Sequence, residues 1–284
     1  MMMAPQPKRP RGESRRLPCR GPRYDGKLIF LRSDVEQHTL QIEGYHTIKT
    51  LYLQRIDRWG SQGVVDGASI SVGYNGAMNI AVLGTGTVGR AHADKLLQLG
   101  HDVVVGTRNP KSKKIKDIKT ASFADAAAHG ELVIEALNGH GALEVLKSVK
   151  AELAGKTLID ISVPLDFSSG ELRLFIVNDD SLGEQIQKAL PKTKVVKAFS
   201  TMNASVQVDP KAVTGGNHHL FIAGNDKKAK AQVIKLARSY GWKTSNILDL
   251  GDIKSARGME MILPIWLKIM GKLGTANFNF KIVR

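Results

Sequence analysis

One stretch constrains the fold more than any other: NIAVLGTGTVGRAHADKLLQLGHDVVVGTRNP, from Asn79 to Pro110. It opens with a short apolar run that reads as a strand. Gly84-Thr85-Gly86-Thr87-Val88-Gly89 follows, with the spacing G-x-G-x-x-G. AHADKLLQL then carries helical spacing, and Gly100 stands where a helix C-terminus calls for left-handed backbone. DVVVG is a second apolar strand. A lone G-x-G-x-x-G means little, but between a strand and a helix, and leading to a second strand, it marks a dinucleotide site. Gly84 permits the tight turn, Gly86 lets the backbone approach a pyrophosphate, and Gly89 lets helix and strand pack closely. The helix N-terminus favours the anion through its free amides and its dipole. The bland alternative is a tight turn with no ligand.

The same alternation continues downstream. ELVIEAL, TLIDIS, KVVKAF, HLFIAG and SNILDLG read as strands. GALEVLKSVKAELAG, SLGEQIQKAL and DKKAKAQVIKLARSYG read as helices, the second opening on a capping box of Ser181 and Glu184. A last helix over roughly residues 253–273 holds Pro264 and is expected to bend there. Apolar strands alternating with amphipathic helices imply an α/β fold: a doubly wound parallel sheet, Rossmann-like, with a C-terminal helical portion.

The end of the second strand bears on the cofactor. NAD-binding folds usually place a carboxylate there for the ribose hydroxyls. Here the chain reads GTRNPKSKK, Gly106 to Lys114, with no carboxylate. Thr107 can hydrogen-bond a 2′-phosphate, and Arg108 can pair with that phosphate or stack on adenine. Lys111, Lys113 and Lys114 add positive potential, although Lys111 and Lys114 read better as a solvated loop. The pattern favours NADP(H).

Composition agrees without deciding more. The net charge of +15 attracts phosphates, nucleotides, nucleic acid or anionic membranes alike. The single cysteine, Cys19, excludes an intramolecular disulfide and fits a reducing compartment. With no membrane-length apolar run and no secretory signal pattern, a cytoplasmic protein is expected. Residues 1–27 carry eight Lys/Arg against two Asp/Glu and few large apolar side chains, so they are expected to be disordered. Residues 28–77 hold short alternating stretches and then a glycine-rich approach to Met78. Residues 1–77 read either as a basic arm for nucleic acid or targeting, or as an appended segment translated upstream of a true start at Met78. The second is preferred, because Asn79 to Leu83 already completes a first strand. The domain is therefore expected to span 78–284.

From Met78 to Arg284 the chain resembles the coenzyme F420-dependent NADP reductase family. The resemblance rests, in order, on IAVLGTGTVG, GTRNP, LIDISVPLDFS, VVKAFSTMNA, HLFIAGND and LGDIKSARGMEMILPIWL. It implies a Rossmann-like domain whose C-terminal part closes over the nicotinamide. It places phosphate contacts on Thr85, Gly86, Thr87 and Val88, with Thr107 and Arg108 beside them. The family's third basic residue falls near Ser112, where Lys113 can substitute. Leu137 and Asn138, Val163 and Pro164, and Ser200 to Ala204 fall on loops lining the nicotinamide and its partner ring. The chain departs from the family with Val163-Pro164-Leu165 in place of Asn-Pro-Leu, and Ser200-Thr201 in place of Asn-Thr. Both departures bear on the acceptor more than on the cofactor.

Hydride transfer from NADPH to F420 or a flavin asks the protein for alignment and exclusion of water. No catalytic dyad stands out. Ser200, Thr201 and Asn203 are the candidates to hydrogen-bond an acceptor ring or the carboxamide, or else they cap loops. Met202 reads as packing. His218-His219 do not suit a shared metal, because neighbours on a strand face opposite ways. His140 near the cleft is a plain loop histidine or a proton donor. Trp242, Trp266, Met259, Met261 and Ile262 read as core, as a homodimer face or as a pocket wall. Two other functions stay open: an NADPH-sensing module without turnover, and a reductase of a small carbonyl or imine. No nucleic-acid signature accompanies the basic arm.

Overall fold

The computed structural model describes residues 76–111, 115 and 117–284. The expectations for residues 1–75, and the phosphate contact assigned to Lys113, lie outside the described residues.

Among the described residues, ten strands and nine α-helices follow in order. They begin with β1 (Asn79–Leu83), α1 (Thr87–Gln98), β2 (Asp102–Gly106), β3 (Lys119–Ala121), α2 (Phe123–His129) and β4 (Leu132–Glu135). Next come α3 (Gly139–Ser148), α4 (Lys150–Leu153), β5 (Thr157–Asp160), the short hairpin of β6 (Leu165–Asp166) and β7 (Arg173–Leu174), and α5 (Leu182–Ala189). The chain ends with β8 (Lys194–Ala198), α6 (Ala204–Val208), β9 (Leu220–Gly224), α7 (Lys227–Tyr240), β10 (Ile247–Asp249), α8 (Ala256–Met261) and α9 (Leu263–Leu273).

Eight strands form one sheet in the order β10-β9-β8-β5-β4-β1-β2-β3. Alternate side chains of each strand feed two cores. Ile80, Val82, Val103, Ile134, Ile159 and Val196 face α1 and α7. Ala81, Leu83, Val133, Leu158 and Val195 face α2 to α5. Both faces are covered, so the strands read as continuous apolar runs. Each fully buried Val, Leu or Ile contributes about 1.5–3 kcal/mol relative to exposure.

The sheet departs from the expected parallel pattern at one edge. β9 pairs antiparallel with β8, and β10 runs parallel to β9. Ala198 at the end of β8 lies opposite Ile222 in the middle of β9, so the chain turns back at the same edge. The link between them holds the five-residue α6 and short 3-10 turns, with no helix long enough to cross the sheet face. An apolar run does not encode strand direction.

Helix ends follow local chemistry. Gly100 and Gly241 end α1 and α7 with φ of 84° and 107°. The Asp226 carboxylate caps α7 by accepting from Ala229 N at 2.8 Å. The Ser181 cap is half a box: its Oγ accepts from Glu184 N, while the Glu184 carboxylate receives two hydrogen bonds from Arg257. The expected bend at Pro264 is a break: α8 ends at Met261, and Pro264 sits in the first turn of α9. Among the described residues, no helix is long and apolar enough to cross a membrane.

Candidate active site

After β3 the strand order reverses to the other side of β1, which opens a crevice beyond the C-terminal ends of β1 and β4. Open α/β sheets bind ligands at such a switch point. Gly84 leaves β1 at φ 125°, and its amide donates to Gly106 O at 3.1 Å. A Cβ there would stand 2.5 Å from the Ala136 carbonyl oxygen, and one on Gly89 would stand 2.1 Å from Gly84 O. These two glycines serve the protein's own close packing. Gly86 differs: its φ is −72°, and nothing lies within 4 Å of a Cβ built there. The following helix has no side-chain cap and no acidic residue in its first turn. Open space at Gly86 and an uncapped helix N-terminus fit the pyrophosphate of a dinucleotide.

Arg90, which the sequence reading passed over, donates from Nε to Thr85 O at 3.1 Å. A basic residue in the first turn of the helix was its signal. Thr107 follows β2 and is buried, with its amide bonded to Ala121 O at 2.9 Å, while Arg108 and Lys111 are exposed.

The strands beyond β1 supply the other wall. Ala136 N donates to Leu83 O at 2.9 Å, which ties the loop after β4 to the glycine turn. Leu137 follows it. Asn138 caps α3, its Oδ1 accepting from His140 N at 3.0 Å, so that oxygen already has a structural partner. A Cβ on Gly139 would stand 2.3 Å from Val163 O, which locks the loops after β4 and β5 together. At the end of β8, Phe199 holds a left-handed φ of 62°. That conformation costs a non-glycine residue about 1–3 kcal/mol and is common where function over-determines the backbone. Its ring is buried edge-on to His92, with centroids 5.3 Å apart. Ser200 is next, and its buried Oγ has no hydrogen-bond partner. Thr201 and Met202 are buried; Asn203 precedes α6 and donates to Ser205 Oγ at 2.9 Å. Ala204 begins α6, which packs against α1.

The histidines have local partners. His140 lies 3.7 Å from Asp166 and stacks on Phe175 at 4.3 Å. His218 is buried, with Nε2 on Pro210 O at 2.8 Å, while Nδ1 of His219 accepts from Ile282 N. Trp242 and Met259 are core, Trp266 is buried against Phe278, and Met261 is exposed.

Beneath the crevice lies a cluster of buried ions that sequence reasoning missed. Glu135, Asp160 and Lys197 stand in register across β4, β5 and β8. Lys197 Nζ reaches Asp160 Oδ2 at 3.0 Å and Glu260 Oε1 at 2.7 Å. Burial opposes the charge on Lys197, yet Asp160 and Glu260 more than offset it and hold the ammonium above the ordinary lysine range. Burial, followed by the neighbouring Asp160, pushes the Glu135 carboxyl well above the usual range. The visible signal was a charge inside each apolar run: LVIE, TLID and VVKA.

Sheet, switch point and uncapped glycine turn together define a Rossmann-type dinucleotide-binding protein. Residues 79–164 match the family model described as NADP oxidoreductase, coenzyme F420-dependent. The chain is 32% identical over 223 residues to the F420-dependent NADP reductase of Methanocaldococcus jannaschii, a match covering 72% of this chain and 98% of that protein. The solved structure of a candidate F420-dependent NADP reductase from Arthrobacter sp. FB24 superposes with a TM-score of 0.70 at 50% identity, covering 73% of this chain and all of that one. Rat metalloreductase STEAP3 is 32% identical over 197 residues, 67% of this chain, and the match spans 38% of that protein's length. The chain belongs to the F420-dependent NADP reductase family and is an NADP oxidoreductase.

Proposed function

We propose that the protein transfers hydride between NADP(H) and F420 or a flavin-like acceptor, through a domain spanning residues 78–284. When bound, the dinucleotide supplies or accepts the hydride at its nicotinamide ring. The chain's own residues bind, orient and exclude water. Gly84 to Gly89 hold the pyrophosphate, Thr107 and Arg108 bind the 2′-phosphate with Lys113, and Leu137, Asn138 and Ala204 border the nicotinamide. Ser200, Thr201 and Asn203, on the loop after β8, are the candidates to face the acceptor. Exposed Met261, Ile265 and Leu273 offer an apolar face for a second copy, so a homodimer belongs to the same proposal.

The observation that carries this function is the open, uncapped turn at Gly86 beside a strand end bearing Thr107 and Arg108 in place of a carboxylate. Calorimetric titration with NADPH and NADH, on the wild type and Arg108→Ala, tests it. Tight NADPH binding, weak NADH binding and loss of that preference in the variant are expected. Turnover with FMN, FAD and F420 then identifies the acceptor, and light scattering reads the subunit count. No binding of either nucleotide would leave the turn a turn and end the proposal.

A further inference from the structure

The buried ions under the crevice hold more than one another. Glu135 Oε1 accepts from Leu137 N at 2.8 Å, and Oε2 accepts from Ser162 N at 3.3 Å. Asp160 Oδ1 accepts from Ser162 N at 3.0 Å and from Ser162 Oγ at 2.7 Å. Lys197 Nζ also donates to Ser162 O. Glu260, arriving from α8, accepts from Leu182 N at 2.9 Å and Gly183 N at 3.0 Å, so it caps α5 across the fold. One ammonium thus ties together the loop after β4, the loop after β5, the start of α5 and the C-terminal helices.

Such a cluster is poor value as mere stability. Desolvating several charges is expensive, and well-packed apolar residues commonly do as well or better. Apolar residues, however, could not grip the amides of Leu137, Ser162, Leu182 and Gly183. The cluster sits at the crevice end of the strands. At the other end of the same three strands the matching row is Leu132, Thr157 and Lys194, and among the described residues no buried ion pair is found there.

Resting on the proposed hydride transfer, we infer that Lys197 is a positioning residue: through Asp160, Glu135 and Glu260 it sets the loops at Leu137 and Ser162–Pro164 at the working distance between nicotinamide and acceptor. It touches neither reactant. The pyrophosphate turn, built from backbone and glycines, does not depend on it.

Two variants test this: Lys197→Met, and a charge-neutral Lys197→Met/Asp160→Asn/Glu260→Gln that folds if the single variant does not. Three readouts are needed: amide hydrogen exchange at Leu137, Ser162 and Gly183, the NADPH dissociation constant, and single-turnover hydride transfer with deuterated NADPH. Expected are faster exchange at those amides, NADPH affinity within about threefold of wild type, and hydride transfer from NADPH to the acceptor among FMN, FAD and F420 that the wild type reduces slowed by about a hundredfold, the scale of an ångström of misplacement. Unchanged exchange in the neutral variant overturns the inference. Faster exchange with wild-type hydride transfer and isotope effect overturns it equally. If the wild type binds no NADPH, the proposed function fails, and the exchange arm alone decides whether Lys197 orders these loops.

Discussion

The two walls of the crevice are built by different physics. On the β1–β2 side the site is backbone: a glycine turn, a helix end without a side-chain cap, and Thr107 and Arg108 just past a strand. On the β4–β5–β8 side the loops hang from buried ionisable groups, with Lys197, Asp160 and Glu135 fully buried and Glu260 nearly so. A phosphate needs amides and positive potential, which a short stretch of chain can supply. A ring held at a fixed distance from another ring needs several loops made rigid together, and that takes long-range bonds. The walls should therefore fail differently.

The largest difference is expected in stability. Lys197→Met leaves Asp160 and Glu260 buried beside no cation, which should cost about 3–5 kcal/mol in urea unfolding. The neutral triple variant should recover most of that loss. If the single variant loses less than about 1 kcal/mol, the ion cluster is not holding the second wall.

Opposite pH slopes should separate the walls next. His92, on α1, lies between Tyr240 OH at 3.1 Å and Gln207 Oε1 at 2.9 Å. Burial, partly countered by the Gln207 bond, lowers its pKa from 6.5 to about 4. Its folded pKa lies below its unfolded one, so its contribution is whole above pH 6.5 and is lost as pH falls toward 4. At about 1.4 kcal/mol per unit, that loss is about 3 kcal/mol. Glu135 has the opposite sign. Its folded pKa is raised, so its contribution is present below the ordinary glutamate range and is lost as pH rises toward the folded value. Glu260, raised chiefly by burial, adds in the same direction. In unfolding measured across pH, His92→Gln should flatten the loss as pH falls below 6.5, while Glu135→Gln should flatten the loss that sets in as pH rises above the ordinary glutamate range. An unchanged loss with rising pH in Glu135→Gln would place the buried proton elsewhere.

What was legible in the sequence follows the same division. The first wall is one continuous stretch, and its spacing carries its geometry: Gly84, Gly89 and Gly100 all sit where turn, packing or left-handed backbone requires them. The strands buried on both faces were legible as apolar runs, whereas the partly exposed β3 was not read. The loops of the second wall were named only through the family resemblance, and the ion cluster behind them was not legible, because its parts lie on β4, β5, β8 and α8, from Glu135 to Glu260, and only folding brings them together. The reversal of β9 was hidden because an apolar run has no direction. The hairpin of β6 and β7 was hidden by its two-residue strands. The strain at Phe199 left no mark in composition.

Smaller effects should appear as binding without loss of fold. Arg108→Ala removes a charged partner from an exposed position, so stability should hold while NADPH affinity drops roughly ten- to a hundredfold, the range for a hydrogen bond to a charged group. NADH affinity should not change. An equal loss for both nucleotides would mean that Arg108 stacks on adenine and does not read the phosphate.

The finest test lies within the glycine turn itself. Gly84→Ala places a methyl group 2.5 Å from a carbonyl oxygen at a φ of 125°, so it should lose both stability and binding. Gly86→Ala meets nothing within 4 Å and keeps an allowed φ of −72°, so its stability cost should stay below about 1 kcal/mol, the scale of an N-cap change. If a pyrophosphate fills that space, the same methyl group should weaken NADPH by about tenfold or more, equivalent to about 1.4 kcal/mol. A Gly86→Ala protein with wild-type stability and wild-type affinity would mean that the open space at the helix end is solvent, and that the first wall binds its phosphates elsewhere.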